Sequence, residues 1–254
     1  MPPPAGAFVL ALLLRSCQPE TVHMAADSVQ SATSVDGETA PGFDLWAPTY
    51  EQDSLDLGWR APWQSGDLLR PWLRNSTTVF SAVLDAGCGT GMMVDVWRSL
   101  NLTNVTGVDL SRGMLDHALQ RRFYTRLIHR SLDEPLPFGD ESFDVIACIG
   151  VLSYILPENR LAVLHEFVRV AREGAIVTFS HVTEYLTQQS WEHHQAKLTK
   201  MGAWTPLVRS DELENLPGST AHGGRTLTHF VYRVRGRHLS QDFSRSLLET
   251  SIAS

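Results

Sequence analysis

Val83-Leu84-Asp85-Ala86-Gly87-Cys88-Gly89-Thr90-Gly91 decides the fold. An apolar run, which begins at Val79, ends in an acid. Glycines then alternate with small residues, and Met92 to Leu100 carries apolar side chains at helical spacing. That order reads as strand, tight loop, helix. Glycine has no Cβ and tolerates positive φ, so such a loop lets a ligand approach its backbone closely. The helix behind it turns free N–H groups toward negative charge.

Working outward, Val105-Thr106-Gly107-Val108-Asp109 is a second strand that again ends in an acid. It stands about 20 residues beyond the glycines, where nucleotide-binding folds hold a ribose diol. A carboxylate there accepts charge-assisted hydrogen bonds from both hydroxyls. Leu110 follows, placed to pack on a flat base. Ser111 caps a helix through Met114, Leu115, Ala118 and Leu119. Tyr124 to His129 is a third strand. Phe143 to Ile149 is a fourth, apolar enough to be buried on both faces. Leu161, Leu164, Phe167, Val168 and Ala171 mark a helix, and Ala175 to Phe179 a fifth strand. The alternation predicts an α/β fold with a doubly wound, mostly parallel, seven-stranded sheet. Residues 184–201 look helical with Gly202 as the stop, and Thr205 to Val208 and His229 to Val234 suit an antiparallel pair at the sheet edge.

Ahead of the sheet, residues 43–74 hold Phe43, Trp46, Tyr50, Trp59 and Trp63, then a helical pattern interrupted by Pro71. This predicts an aromatic lid on one domain spanning 43–239, with a disordered leader over 1–42 and a polar tail over 240–254.

The 254 residues suit one such domain, and 43% hydrophobic with 19% charged residues is a globular balance. A formal charge of -7 does not suit a phosphate backbone, so no nucleic-acid partner is expected. Arg121-Arg122 reads as a solvated helix end. Cys17, Cys88 and Cys148 share no metal-ligand spacing, and His193-His194 point apart on a helix, so no metal is expected. No apolar run reaches the roughly 18 residues that a membrane span needs. Ala5 to Leu14 resembles a signal-peptide core but lacks a preceding Lys or Arg. Sequons at Asn75, Asn101 and Asn104 keep a secretory reading open, while Met24-Ala-Ala-Asp looks like a cytosolic start. A cytoplasmic location is the expectation; oligomeric state has no sequence signal.

Asp85-x-Gly87-x-Gly89-x-Gly91, then Asp109, then Pro135-Leu136-Pro137-Phe138-x-x-x-Ser142-Phe143-Asp144 together resemble the class I S-adenosylmethionine-dependent methyltransferases. The likeness runs over about residues 44–180. Within that family, Trp46-Ala47-Pro48-Thr49-Tyr50 resembles the small methyltransferase-like proteins of the Williams–Beuren region. The dinucleotide fingerprint has its third glycine where Met92 stands, which argues against a nicotinamide enzyme.

The resemblance implies S-adenosylmethionine as cofactor and methyl transfer to a small-molecule acceptor. It implies backbone contacts from Gly87, Cys88, Gly89 and Gly91 to the methionine part of the cofactor, Asp85 near its ammonium, and Asp109 on its ribose. Leu132 or Asp133 falls where the family often has an acid beside the adenine amine. Cys148 and Ile149 match the segment that lines the methionine pocket, and Trp46 and Tyr50 match aromatics that close over it. Tyr50 reads equally as a packing residue. Cys88 and Cys148 read as small fillers rather than nucleophiles. No catalytic residue is assigned; His181 sits where a substrate-side base would, and reads first as a packing histidine. A non-catalytic cofactor binder and an aminopropyl transferase remain as rivals.

Overall fold

The computed structural model describes residues 39–74, 82–188, 190–219 and 224–235. Strands β1 (Ala82–Ala86), β2 (Asn104–Asp109), β3 (Arg126–His129), β4 (Phe143–Cys148) and β5 (Ala171–Val182) run parallel in the order β3-β2-β1-β4-β5. Past β5 come β8 (Thr226–Val234) and then β6 (Trp204–Arg209), each antiparallel to its neighbour, which gives the expected antiparallel edge. A two-residue strand β7 (Leu213–Glu214) pairs with β8 off this path and had no signal in the pattern. Of the strand that begins at Val79, residues 79–81 lie outside the described residues, as do the expected apolar run 5–14 and the tail 240–254.

All six residues of β4 are buried, as its apolar composition requires. Its Asp144 is accommodated because Oδ2 accepts from the Ala82 N–H and from Arg172 Nη1, both at 2.8 Å. The acid of the Ser142-Phe143-Asp144 motif therefore joins the amino ends of β1, β4 and β5, at the edge opposite the glycine loop. At the other side, Phe179, Phe230, Tyr232 and Trp204 stack across β5, β8 and β6, with ring centroids 5.4 Å apart for Phe179–Phe230 and 4.2 Å for Trp204–Tyr232. Such cross-strand aromatic pairs fix register.

Helices cover both faces. On one side lie α3 (Ala61–Arg74) and α4 (Val94–Ser99), packing Leu69, Val96 and Trp97 on the sheet. On the other lie α6 (Arg160–Val170) and α8 (Trp191–Lys200), packing Leu164, Phe167, Trp191 and Leu198. Between α4 and α6 in the chain, α5 (Arg112–Gln120) follows β2 and is capped as expected, Ser111 Oγ accepting from the Met114 N–H at 3.0 Å. Pro71 does not interrupt α3: it is exposed and opens the helix's last turn, where only one backbone bond is lost. The single helix expected over 184–201 is two, α7 (Thr183–Gln188) and α8, parted where Ser190 is left-handed at φ 59°. Gly202 ends α8 with φ 73°, its N–H bonding the Thr199 carbonyl.

The lid is helical too. Helix α1 (Thr39–Trp46) begins inside the stretch read as leader, and α2 (Tyr50–Asp56) follows. Asp44 latches α1 to the start of α5: Oδ1 accepts from Ser111 Oγ at 2.6 Å and from the Gly113 N–H at 2.8 Å. Burial would raise its carboxyl, but those bonds and the charge of His129 together hold it below the ordinary value. Asp44→Ala is expected to cost about 1–2 kcal/mol, because it strips an acceptor from a helix N-terminus. Urea unfolding reads the loss, and amide exchange across residues 39–56 should speed up. Unchanged exchange there would show that Asp44 does not hold the lid.

Candidate functional site

The carboxyl ends of β1 and β2 carry the two acids read from the sequence. Asp85 is 2% exposed, and its Oδ2 accepts from Trp97 Nε1 at 3.1 Å and from the Tyr124 hydroxyl at 2.8 Å. Burial pushes its carboxyl up to about 6, against the two donors that hold it down; the charge of Asp109 adds to the rise. Both bonds fall on Oδ2, and Asp85 helps to line a small pocket. Asp109 accepts from the Gly89 N–H on one oxygen and the Ser111 N–H on the other, each at 2.8 Å. Burial raises its carboxyl, and these backbone donors oppose the rise. A carboxylate has about four acceptor positions, so capacity remains for a diol.

Between them runs the glycine loop. Gly87 has φ 75°, and a Cβ there would stand 2.3 Å from Val151 Cγ2. Gly89 has φ 52° and open space where its Cβ would be. One glycine is demanded by backbone and packing; the other leaves a bare approach to the backbone. Cys88 is buried with its thiol pushed up by burial, and its Sγ fills the space over Gly107. Gly91 packs against Arg121 and Tyr124.

Two cavities meet here. The smaller, about 30 Å³, is lined by Asp85, Gly87, Cys88, Gly89 and Ile149, with Tyr50, Trp59 and Pro62 as its cover. Thr90 Oγ1 beside it is buried without a partner among the described residues. The larger, about 260 Å³, is walled by Phe43, Trp46, Tyr50, Trp59, Tyr154 and Tyr185 and floored by Ser180 and His181. Tyr50 and Trp59 line both. Trp46 stands edge-on to Tyr50 at 4.8 Å and donates to Asp53 Oδ2 at 2.7 Å.

Other expected residues lie apart. Leu110 is 39% exposed. Leu132 is buried in the core. Asp133 Oδ1 accepts from the Leu156 N–H and Asn159 Nδ2, both at 3.1 Å, so it secures the turn after β4. Cys148 is fully buried in the core, with its thiol raised by burial. Arg121 is the main surprise: it pairs with Glu51 of α2 and donates Nε to the Thr90 carbonyl at 2.8 Å. It is a strut between lid and glycine loop, whereas Arg122 is exposed as read. Its partners are 70 and 31 residues away in the chain, so no local pattern announces them.

The comparisons with known proteins fit this geometry. A family model described as a methyltransferase domain matches residues 84–179, from within β1 into β5. The human methyltransferase-like protein 27 is 34% identical over 171 residues, covering 65% of this chain and 68% of that one. A malonyl-[acyl-carrier protein] O-methyltransferase of Erwinia pyrifoliae is 32% identical over 219 residues, covering 84% of this chain and 73% of the relative. The chain belongs to the class I S-adenosylmethionine-dependent methyltransferases. Other relatives with the malonyl name are matched over less of their length, 37% for that of Yersinia pestis and 50% for that of Hamiltonella defensa. Among solved structures, an S-adenosylmethionine-dependent methyltransferase from Clostridium acetobutylicum superimposes with a TM-score of 0.58 at 17% identity, over 74% of this chain and 98% of that one, which speaks for the fold.

The donor set suits this methyl donor in kind: two strand-end carboxylates, a bare glycine backbone and an unpartnered hydroxyl. No helix among the described residues is long and apolar enough to cross a membrane, and no group of His, Cys, Asp and Glu there suits a metal.

Tyr124→Phe removes one of the donors to Asp85, so the carboxyl should titrate above about 6. The folded state then holds the proton more tightly than the unfolded chain. Asp85's contribution to stability falls as pH rises from 3.8 to about 6, and in the variant that decline extends upward. Carbon-detected titration of the Asp85 carboxyl is the check; an unmoved midpoint would mean that the Tyr124 bond does not form.

Proposed function

We propose that this methyltransferase binds its donor across the carboxyl ends of β1 and β2 and methylates a small molecule held in the aromatic cavity. Tyr50 and Trp59, which line both cavities, carry this reading: two chambers with a common wall suit a donor and an acceptor that must meet. The donor supplies a methyl group already activated on a sulfonium.

What remains for the protein is alignment and exclusion of water. Asp109 is assigned to the ribose hydroxyls, with Leu110 under the base. Asp85, through Oδ1, is assigned to the ammonium group. The backbone of Gly87, Cys88, Gly89 and Gly91 is assigned to the methionine portion, with Ile149 and Cys148 beneath it. Leu132 and Asp133 shape the adenine end, Leu132 from the core and Asp133 by fixing the turn after β4. Trp46 and Tyr50 close over the reacting centre, and the Glu51–Arg121–Thr90 strut couples that closure to the glycine loop. A relative named for ubiquinone and menaquinone biosynthesis supports a small-molecule acceptor.

Calorimetry is the test. The protein should bind S-adenosylhomocysteine and not NAD. Asp109→Ala should weaken binding roughly tenfold to a hundredfold, the scale of a lost charged hydrogen bond. Saturable NAD binding, or an unchanged dissociation constant in the variant, would overturn the assignment.

A further inference from the structure

The larger cavity has an unusual lining. Six aromatic residues wall it, and there is no Asp, Glu, Lys or Arg among its described lining residues. Trp97, Trp191 and Trp204 in the core are fully buried, whereas all six of these aromatics keep part of their surface open. They are not arranged to grip a flat molecule. Phe43 and Tyr154 meet at 81°, Trp46 and Tyr50 at 78°, and Tyr50 and Trp59 at 71°. Phe43 and Trp46 are near-parallel at 16°, but with centroids 6.3 Å apart no third ring fits between them. Planes set at steep angles make the corner of a box, which suits a rounded group. The rounded group that aromatic boxes favour is an alkylated ammonium, drawn by electron-rich ring faces.

The charges around this corner point the same way. Trp46 Nε1 donates to Asp53 Oδ2 at 2.7 Å, and an indole that donates to an anion gains electron density. Burial first, then Tyr154, Asp109 and Glu51, raise the Tyr50 hydroxyl well above its ordinary value against a bond with Ser54, so it keeps its proton. The lining also offers no open group to take a proton. His181 is 1% exposed, its Nδ1 lies 2.9 Å from the Val182 carbonyl, and its ring packs on Trp191 at 5.2 Å. A hydroxyl or a primary amine must shed a proton when it is methylated, whereas a tertiary amine has none to shed.

Resting on the donor-and-acceptor reading above, we propose that the acceptor is a tertiary amine, whose nitrogen Trp46, Tyr50 and Trp59 hold as it becomes a quaternary ammonium. The amine lone pair forms the new carbon–nitrogen bond as the sulfur–carbon bond breaks. The electron pair of that broken bond stays on sulfur, the positive charge passes from sulfur to nitrogen, and no proton moves. Tyr50 and Trp59 line both cavities, so the corner lies where the two reactants must meet. Tyr185 stands outside it: Arg225 is already 5.9 Å from that ring's centroid and pairs with Glu184 at 3.8 Å.

The test uses the full chain saturated with S-adenosylhomocysteine, whose sulfur is uncharged, and three probes of one shape: choline, 3,3-dimethylbutan-1-ol and 3,3-dimethylbutanoate. In calorimetry choline should bind roughly tenfold more tightly than the alcohol, and the carboxylate more weakly than either. The methyl protons of bound choline should move upfield, as protons over ring faces do. Trp46→Leu keeps an apolar wall without the ring, and should bring choline to within about threefold of the alcohol. The proposal is overturned by an alcohol that binds as tightly as choline, by no choline binding, or by a folded Trp46→Leu protein that keeps the full preference. Failure of the S-adenosylhomocysteine step itself would instead overturn the reading on which it rests.

Discussion

One carboxylate governs the carboxyl edge of this sheet. Asp109 accepts the Gly89 N–H from the loop after β1 and the Ser111 N–H from the turn after β2. Those bonds set the distance between two loops that leave adjacent strands. The position of the glycine backbone, the capping of α5 and the docking of α1 through Asp44 on Ser111 all follow from it. A strand-end acid is the residue type for this task, because it accepts from several N–H groups and still has lone pairs left.

The lid is built on the same point. Asp44 fastens α1 to the N-terminus of α5, and Arg121, just past the C-terminus of α5, joins Glu51 of α2 to Thr90. The helix after β2 is thus a splint between lid and glycine loop. The cavity that holds Asp85 and the glycine loop is about 30 Å³, and the aromatic one beside it about 260 Å³. If the donor enters beneath the Tyr50–Trp59 wall, as proposed, it comes up against the contacts that tie the lid to the loop.

The parallel half of the fold was legible because buried strands and amphipathic helices leave periodic traces; β4 and α5 are the clearest. The acid-glycine loop and Asp109 were legible because their functions depend on local spacing. Less was visible where partners are far apart in the chain. Nothing near Tyr124 says that its hydroxyl meets Asp85, 39 residues earlier. Arg121 looked like a solvated cation for the same reason. His181 looked like a packing residue, and it is buried against Trp191; only the fold shows that its Nε2 has no partner among the described residues. The break at Ser190 was missed because helical periodicity continues across it and the left-handed residue is not a glycine.

That the chain moves a methyl group to a small molecule is best tested with S-adenosylmethionine labelled at its methyl carbon, incubated with the protein and a metabolite extract. Label should appear in one or a few low-mass products, in step with formation of S-adenosylhomocysteine. Label confined to the donor, or recovered in protein or nucleic acid, would contradict it.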